Sequence, residues 1–278
     1  MAYVAIMPLY QVVILALVQG LTEFLPVSST AHLDLAPWLL GWKDPGLTFD
    51  IALHLGTLAA VLIYFFKDWV QVLGQGFGLS VGNDPALKAN RKLLWLMVAG
   101  TVPAVIAGLL LRDAAETTLR QPYVYGTMLI GFGLVMWIAE KIGTQQKDIS
   151  RFGWVDAIYV GCAQALAIIP GTSRSGVTIS AGLSRGFDRS SAARFSFLLS
   201  TPAIAGAALM AARKLHKAGG IEPGMQLPFI LGIVISGITG AVVIAFFLRY
   251  LRKHSMNGFV WYRIALGILV LALALFRR

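Results

Sequence analysis

Charged residues are scarce in this sequence. They make up 13% of its 278 positions, about half the share usual in a soluble domain. With 57% hydrophobic residues and a mean hydropathy of +0.74, that scarcity excludes a soluble globular domain and defines an integral membrane protein. Cysteine is nearly absent: Cys162 stands alone, which excludes an intramolecular disulfide, and its apolar surroundings leave the redox compartment open. Acidic side chains number 13 against 23 basic ones. The resulting formal charge of +10 does not indicate a nucleic-acid partner, because the basic residues are scattered over short connections between apolar runs and form no stripe with interleaved aromatics. They read as topology determinants that meet anionic lipid head groups. A cleavable leader is missing too: MAYVAIMPLY has no basic residue ahead of its apolar run and no small-residue cleavage pattern behind it, so the first segment is expected to stay in the mature protein.

What is present is length in the apolar runs. Crossing the hydrocarbon takes about 20 mostly apolar residues. Six runs meet that standard, at roughly 50–66, 91–111, 123–140, 192–212, 228–249 and 260–276. Two further apolar segments fail it in the same way. The segment from Leu9 to Leu40 is interrupted by PVSSTAH, and the segment from Trp154 to Leu183 by PGTSRSG. Each predicts two half-length helices around a polar turn, a re-entrant hairpin that enters the membrane and leaves by the same side. Irregular backbone at membrane depth is tolerated only where protein or a watery cavity satisfies it.

The fold class expected is therefore an all-α integral membrane protein with six transmembrane helices and two re-entrant helical hairpins. The order is hairpin and three spans, twice: repeat 1 at about 1–145 with its hairpin at 9–40, repeat 2 at about 150–278 with its hairpin at 154–185, in one membrane domain spanning 1–278. Both hairpins place a glutamine (Gln19, Gln164) ahead of a proline (Pro26, Pro170) and then hydroxyl residues. Three crossings are an odd number, so the second repeat enters from the opposite face. That inverted topology brings paired broken segments together near the bilayer midplane. The connections 67–90, 141–153 and 250–259 hold more Lys and Arg than the other side, which makes theirs the cytoplasmic side, although Arg277 and Arg278 run against it. The first hairpin then opens to the outside and the second to the cytoplasm.

Ionisable side chains at membrane depth are costly enough to imply function, and Glu23, His32 and Arg174 are the three to explain. Gln19 and Glu23, four apart on a helix, share a face. Pro26 breaks the helix, and Ser28 or Ser29 becomes the N-cap of its second half, placing His32 about one turn along and within reach of Ser29. A serine and a histidine so spaced suit nucleophile and general base. In PGTSRSGVT, Gly171 permits close backbone approach, Thr172, Ser173, Ser175 and Thr178 offer hydroxyls, the helix start aims N–H groups at an anion, and the Arg174 fork matches two phosphate oxygens. A phosphate cradle facing an activated nucleophile suits phosphoryl transfer on a substrate both anionic and lipid-soluble.

These residues carry a family resemblance. QGLTEFLPVSSTAHL resembles the first signature of the undecaprenyl-diphosphate phosphatase family of the bacitracin-resistance type, PGTSRSGVT resembles its second, and FSFLLSTP at 195–202 is also similar. The resemblance implies removal of one phosphate from a C55 polyprenyl diphosphate in the bacterial cytoplasmic (inner) membrane, with the active site reached from the outer, periplasmic side. It implies a core of Glu23, Ser29, His32 and Arg174, supported by Gln19, Ser28, Ser173, Ser175 and Thr178, beside the Gly171 and Thr172 of the phosphate cradle read above. It further implies a divalent cation, Mg or Ca, near Glu23. This chain departs from the pattern at Gln19, where many members carry Glu, and at Ala31, where Gly is common. The glutamine leaves one carboxylate fewer, which puts a metal site built on two acidic residues in doubt. Ser29 as nucleophile, with His32 taking its proton, and His32 as nucleophile or water activator both stand at this point.

Simpler readings compete. Hydroxyls in membrane helices often bond a backbone carbonyl, and Glu23 with Arg174 can be a structural ion pair across the hairpins. Asp50 and His54 read as structural residues near an interface. Gly232 and Gly237 read as close helix packing, the FSFLLSTP phenylalanines as lipid or helix contacts, and Trp137, Trp154 and Trp261 as an interfacial belt. A homodimer is compatible with the small-residue helices. The rival function is an inverted-repeat secondary transporter or flippase for a phosphorylated lipid or small anion. The type 2 phosphatidic acid phosphatase pattern is not matched, because no His or Asp follows Ser173 and Arg174 at suitable spacing.

Overall fold

The structure is a computed structural model that describes residues 7–217, 219–221 and 224–276; Met1–Ile6 of the opening apolar stretch, Arg277 and Arg278 lie outside them. Among the described residues twelve α-helices run in order: α1 (Leu9–Thr22), α2 (Ser29–Leu40), α3 (Leu47–Tyr64), α4 (Phe66–Gly76), α5 (Pro85–Lys88), α6 (Leu93–Glu116), α7 (Pro122–Ile142), α8 (Trp154–Ala165), α9 (Arg174–Ser184), α10 (Arg189–Lys217), α11 (Gln226–Leu251) and α12 (Asn257–Phe276). Among the described residues there is no strand, and one isolated bridge joins Lys147 to Phe187. The chain is an all-α integral membrane protein.

Among the described residues five helices, α6, α7, α10, α11 and α12, are long and apolar enough to cross a membrane. The sixth expected run forms α3, which is joined to α4 at Phe65 with a bend of 73°. The 67–90 connection is thus more structured than its composition implied. In α4 the pattern FKDWVQVLGQG is amphipathic, and it buries Gln71, Val72 and Gln75. Gln71 closes the following loop by donating to the Asp84 carbonyl at 2.9 Å and accepting from the Asp84 N–H at 3.0 Å. Asp84 in turn caps α5 through Ala86 N and Leu87 N, and the Arg194 guanidinium reaches Asp68 at 2.7 Å and Asp84 at 2.9 Å.

Polarity is inverted relative to a soluble protein. Leu110, Ile63, Val155, Ile238 and Val242 stand exposed, whereas Gln19, Thr57, Thr172, Ser236 and Arg263 are fully buried. Lipid accepts the first set, and helix contacts satisfy the second. Close approach depends on glycine. A Cβ at Gly20 would collide with Ser236 and Thr239 of α11, and one at Gly161 with Gly100 of α6. Likewise Gly126 of α7 and Gly267 of α12 face each other's backbone, and Gly237 of α11 faces Gly56 of α3. Phe195 and Phe197 are buried, Phe197 packing edge-on against Phe24 at 5.3 Å. They contact helices and do not face lipid.

Candidate active site

Both interrupted segments fold as helix, break, helix. After α1 the chain leaves the helical path through Pro26, and after α8 it passes a 3-10 turn at 166–168 and Pro170. Each second helix starts on a serine whose backbone lies in the left-handed region, Ser28 at φ 76° and Ser173 at φ 72°. Their hydroxyls accept from Ala31 N and Gly176 N respectively. Non-glycine residues held there cost about 1–3 kcal/mol each, and such strain concentrates at functional sites. Ser28 settles the open choice of N-cap and leaves Ser29 as the first helical residue of α2.

The two tips meet. Glu23, at the end of α1, is the hub: its Oε1 accepts from Arg174 Nη2 at 2.6 Å, and its Oε2 accepts from Ser29 Oγ at 2.5 Å and from Gln19 Nε2 at 3.1 Å. His54 Nε2 of α3 lies 3.6 Å from Oε2. Ser175 Oγ crosses between the tips to the Leu25 carbonyl at 3.0 Å. Beneath them Arg263 of α12 is fully buried. It donates to the carbonyls of Pro26 (3.1 Å), Gly171 (2.9 Å), Thr172 (3.0 Å), Met128 (3.2 Å) and Leu129 (3.3 Å), so one guanidinium holds both breaks to α7.

Above the hub opens a cavity of about 410 Å³, within the range of small-ligand sites. Its polar lining includes Glu23, Ser28, Ser29, Ser173 and Arg174, and its apolar lining is rich in alanine, with Ala203, Ala207 and Ala208 of α10 and Ala104 and Ala115 of α6. Asp50, His54 and Arg120 also line it. Arg120, between α6 and α7, pairs with Asp34, with Asp50 at 3.5 Å and with Asp44 at 3.7 Å, and Asp34 also accepts from Tyr125. Burial alone would lower the Arg120 pKa, but the Asp34 carboxylate, with Asp50 and Asp44 behind it, holds it above the ordinary value.

The remaining residues singled out from sequence are engaged in other ways. His32 makes no hydrogen bond to Ser29. Its Nδ1 is 2.7 Å from the Ser28 carbonyl and its Nε2 2.7 Å from the Tyr262 hydroxyl, against whose ring it stacks. The spacing of three puts the two residues on neighbouring positions of α2, but the imidazole folds back toward the helix start and away from the serine. Thr178 donates to the Arg174 carbonyl at 2.7 Å and shares a 2.6 Å hydrogen bond with Ser196, and Thr172 is buried with its hydroxyl unpartnered. Gly171 lines the cavity, but its φ of 93° and the closeness of Tyr125 and Met128 account for the glycine. Asp50 and His54 belong to the cavity wall, a place their apolar helix did not suggest. Arg263 and Tyr262 went unnoticed in the sequence because their partners are backbone carbonyls and a histidine over 200 positions away. Among the described residues no group of three or more His, Cys, Asp or Glu side chains is arranged to hold a metal, so a cage of protein ligands does not fit. The oxygens at hand for a cation shared with a substrate are the Glu23 carboxylate on the cavity wall and Oε1 of the adjacent, fully buried Gln19, which has no partner.

Fold and site define a multi-pass membrane protein with a carboxylate, a hydroxyl and a guanidinium converging on one cavity. The chain belongs to the family described as bacitracin resistance protein BacA, whose model matches residues 12–269. It is 47% identical over 269 residues to the undecaprenyl-diphosphatase of Desulforudis audaxviator, covering 96% of this chain and 98% of that one. It is 43% identical over 274 residues to the enzyme of the same name from Moorella thermoacetica (98% and 100%) and 45% identical over 268 residues to that of Trichlorobacter lovleyi (96% and 97%).

Proposed function

We propose that this protein is an undecaprenyl-diphosphate phosphatase that hydrolyses the C55 diphosphate to the monophosphate and inorganic phosphate in a bacterial cytoplasmic membrane. The observation that carries the reading is the Ser29 hydroxyl hydrogen-bonded at 2.5 Å to Glu23, whose other oxygen holds Arg174, beside an alanine-lined cavity. A hydroxyl bonded to a carboxylate is a nucleophile beside its base, the guanidinium is a phosphoryl clamp, and the apolar wall suits a prenyl chain.

Ser29 Oγ attacks the terminal phosphorus and gives its proton to Glu23. The bond to the bridging oxygen breaks, and polyprenyl monophosphate leaves. Glu23 passes its proton to the departing monophosphate oxygen and, a carboxylate again, takes one from a water molecule that attacks the phosphoserine; Ser29 Oγ leaves with that proton and inorganic phosphate is released. Arg174 moves from Glu23 to the phosphoryl oxygens, with the helix starts at Ser28 and Ser173 beside it. His32, bonded to the Ser28 carbonyl and Tyr262, holds the strained turn. A divalent cation at Glu23 and Gln19 would neutralise diphosphate charge when bound. The hydrogen bonds favour Glu23 over His32 as acceptor of the serine proton.

The architecture that goes with this reading is two re-entrant hairpins and six spans in an inverted repeat. Its support is reciprocal packing: α1 of the first half lies on α11 of the second, and α8 of the second lies on α6 of the first, each through a glycine. The site then opens to the periplasmic side by the charge bias of the loops. A homodimer through small-residue faces fits Gly108 and Gly206, which have open space where a Cβ would stand.

The test is phosphate release from C55 diphosphate by purified protein in detergent, where no gradient exists, followed by mapping of a trapped phospho-enzyme. Expected is steady release and an adduct on Ser29. Absence of release refutes the phosphatase reading and leaves the carrier, and an adduct on His32 refutes the serine mechanism.

A further inference from the structure

Gln164 sits in the last turn of α8, on the cavity wall, and only 3% of it is exposed. Neither its Nε2 nor its Oε1 has a hydrogen-bond partner. A buried carboxamide with both ends unpaired is a standing cost that an apolar side chain of the same size would remove. The side chains beside it in the cavity lining, Ala165, Ala167 and Ile168, are apolar. The first half shows what such a residue does when a partner is supplied. Gln19 precedes the cap Ser28 by nine residues, as Gln164 precedes Ser173, and Gln19 donates to Glu23. The position matching Glu23 in the second half is Ile168, so the carboxylate is gone while the amide remains.

We propose that Gln164 is a substrate-binding residue whose Nε2 donates to the phosphate attached to the prenyl chain, the group that leaves. The inference rests on the phosphatase reading above. With the terminal phosphoryl group beside Ser29 and Arg174, the inner phosphate falls further into the same cavity, which Gln164 lines from α8, the helix packed against both α6 and α9. The two N–H groups of the amide then meet phosphate oxygens in a site of low dielectric, where a hydrogen bond to a charged acceptor is strong. Donation to the leaving phosphate also stabilises the charge that develops there.

The experiment compares Gln164→Leu and Gln164→Glu with the parent in detergent, reading thermal unfolding, KM for C55 diphosphate, and inhibition by C55 monophosphate and by inorganic phosphate. Gln164→Leu is expected to melt no lower than the parent, since it removes an unsatisfied group. It should raise KM and the inhibition constant of the monophosphate about tenfold, leaving inhibition by inorganic phosphate, which occupies the terminal subsite, within twofold. Gln164→Glu keeps the shape and should weaken both lipid phosphates further by repulsion. If Gln164→Leu lowers the melting temperature, so that the amide has a structural role, Gln164→Glu decides. Parent-like KM and monophosphate inhibition in either folded variant overturns the proposal, as does an equal loss toward inorganic phosphate. An inactive parent overturns the phosphatase reading and this inference together, whereas an active parent matched by both variants overturns this inference alone.

Discussion

Replacing Arg263 by methionine removes the guanidinium that ties both helix breaks to α7 and α12. Two of its five acceptors, the carbonyls of Met128 and Leu129, lie within α7 and keep their helical partners. The other three, on Pro26, Gly171 and Thr172, belong to the breaks and have no helical donor to return to. A stranded buried carbonyl costs about 1 kcal/mol or more, so the variant loses at least about 3 kcal/mol at the tips. At about 2–4 °C per kcal/mol for a chain of comparable size, the melting temperature should fall by about 6–12 °C. Activity should fall further than that, because a shift of about 1 Å between Ser29 and Arg174 costs about 10²-fold in rate. Arg263→Lys separates fork from charge: the ammonium has three donors to offer the three stranded carbonyls but no planar fork, so it should recover about half of the lost stability and less of the activity. The assay is thermal unfolding in detergent alongside phosphate release. A methionine variant that melts within 2 °C of the parent and turns over normally would refute the claim that Arg263 sets the geometry of the tips.

Two further predictions follow from the same contacts. Glu23→Gln keeps the hydrogen bonds to Ser29 and Gln19 feasible but removes the base, so phosphate release should drop about 10²–10⁴-fold with thermal unfolding little changed; turnover within tenfold of the parent would remove Glu23 from that role. At the α4–α5 loop, burial pushes the Asp84 carboxyl up, but the Leu87 and Ala86 N–H groups and the Arg194 guanidinium outweigh it and hold its pKa below the ordinary value. Its contribution is therefore complete above about pH 4, the value of an unfolded aspartate, and is lost as pH falls through the lowered folded value. Melting temperatures measured from pH 7 to pH 3 should show an acid-side loss that is smaller in Asp84→Asn, and identical profiles would refute the assignment.

How much of this was legible beforehand depended on the range of the signal. Apolar run length is local, so the six long runs emerged near their observed bounds, and Pro26 and Pro170 with their hydroxyls announced both breaks. The α4 helix was not legible, because an 11-residue amphipathic piece beside a span looks like a polar loop when only apolar length is counted. Of the site, Glu23 and Arg174 could be singled out because charge within apolar sequence is rare, and Ser29 because its hydroxyl follows the Pro26 break. Their mutual distances depend on α1, α2 and α9 being brought together by helices far along the chain, and no local pattern carries that. Asp50 and His54 show the limit from the other side: a polar pair near the end of a span has a simple interfacial explanation, and only the position of α3 beside Glu23 replaces it. The Ser29 to His32 spacing was compatible with a dyad, yet backbone acceptance at Ser28 and the Tyr262 hydroxyl claimed both imidazole nitrogens.

A carrier of anions needs charge complementarity and a way to release its cargo, and the Glu23 to Arg174 pair alone would serve that. What it does not need is a serine hydroxyl bonded to the same carboxylate at 2.5 Å, on a residue that directly follows a strained cap. The strain at Ser28 and at Ser173 fixes where each helix start points, at an energetic cost a flexible binding site would shed. Arg263 adds a second cost, a buried cation spent on backbone carbonyls. Both make sense when a nucleophile must stay aligned with one phosphorus atom through bond making and breaking. In the proposed mechanism the Glu23 to Arg174 contact is the resting arrangement: the guanidinium neutralises the carboxylate until a diphosphate competes for it, and transfer of Arg174 to the phosphate would free Glu23 to take the Ser29 proton at the moment the substrate arrives.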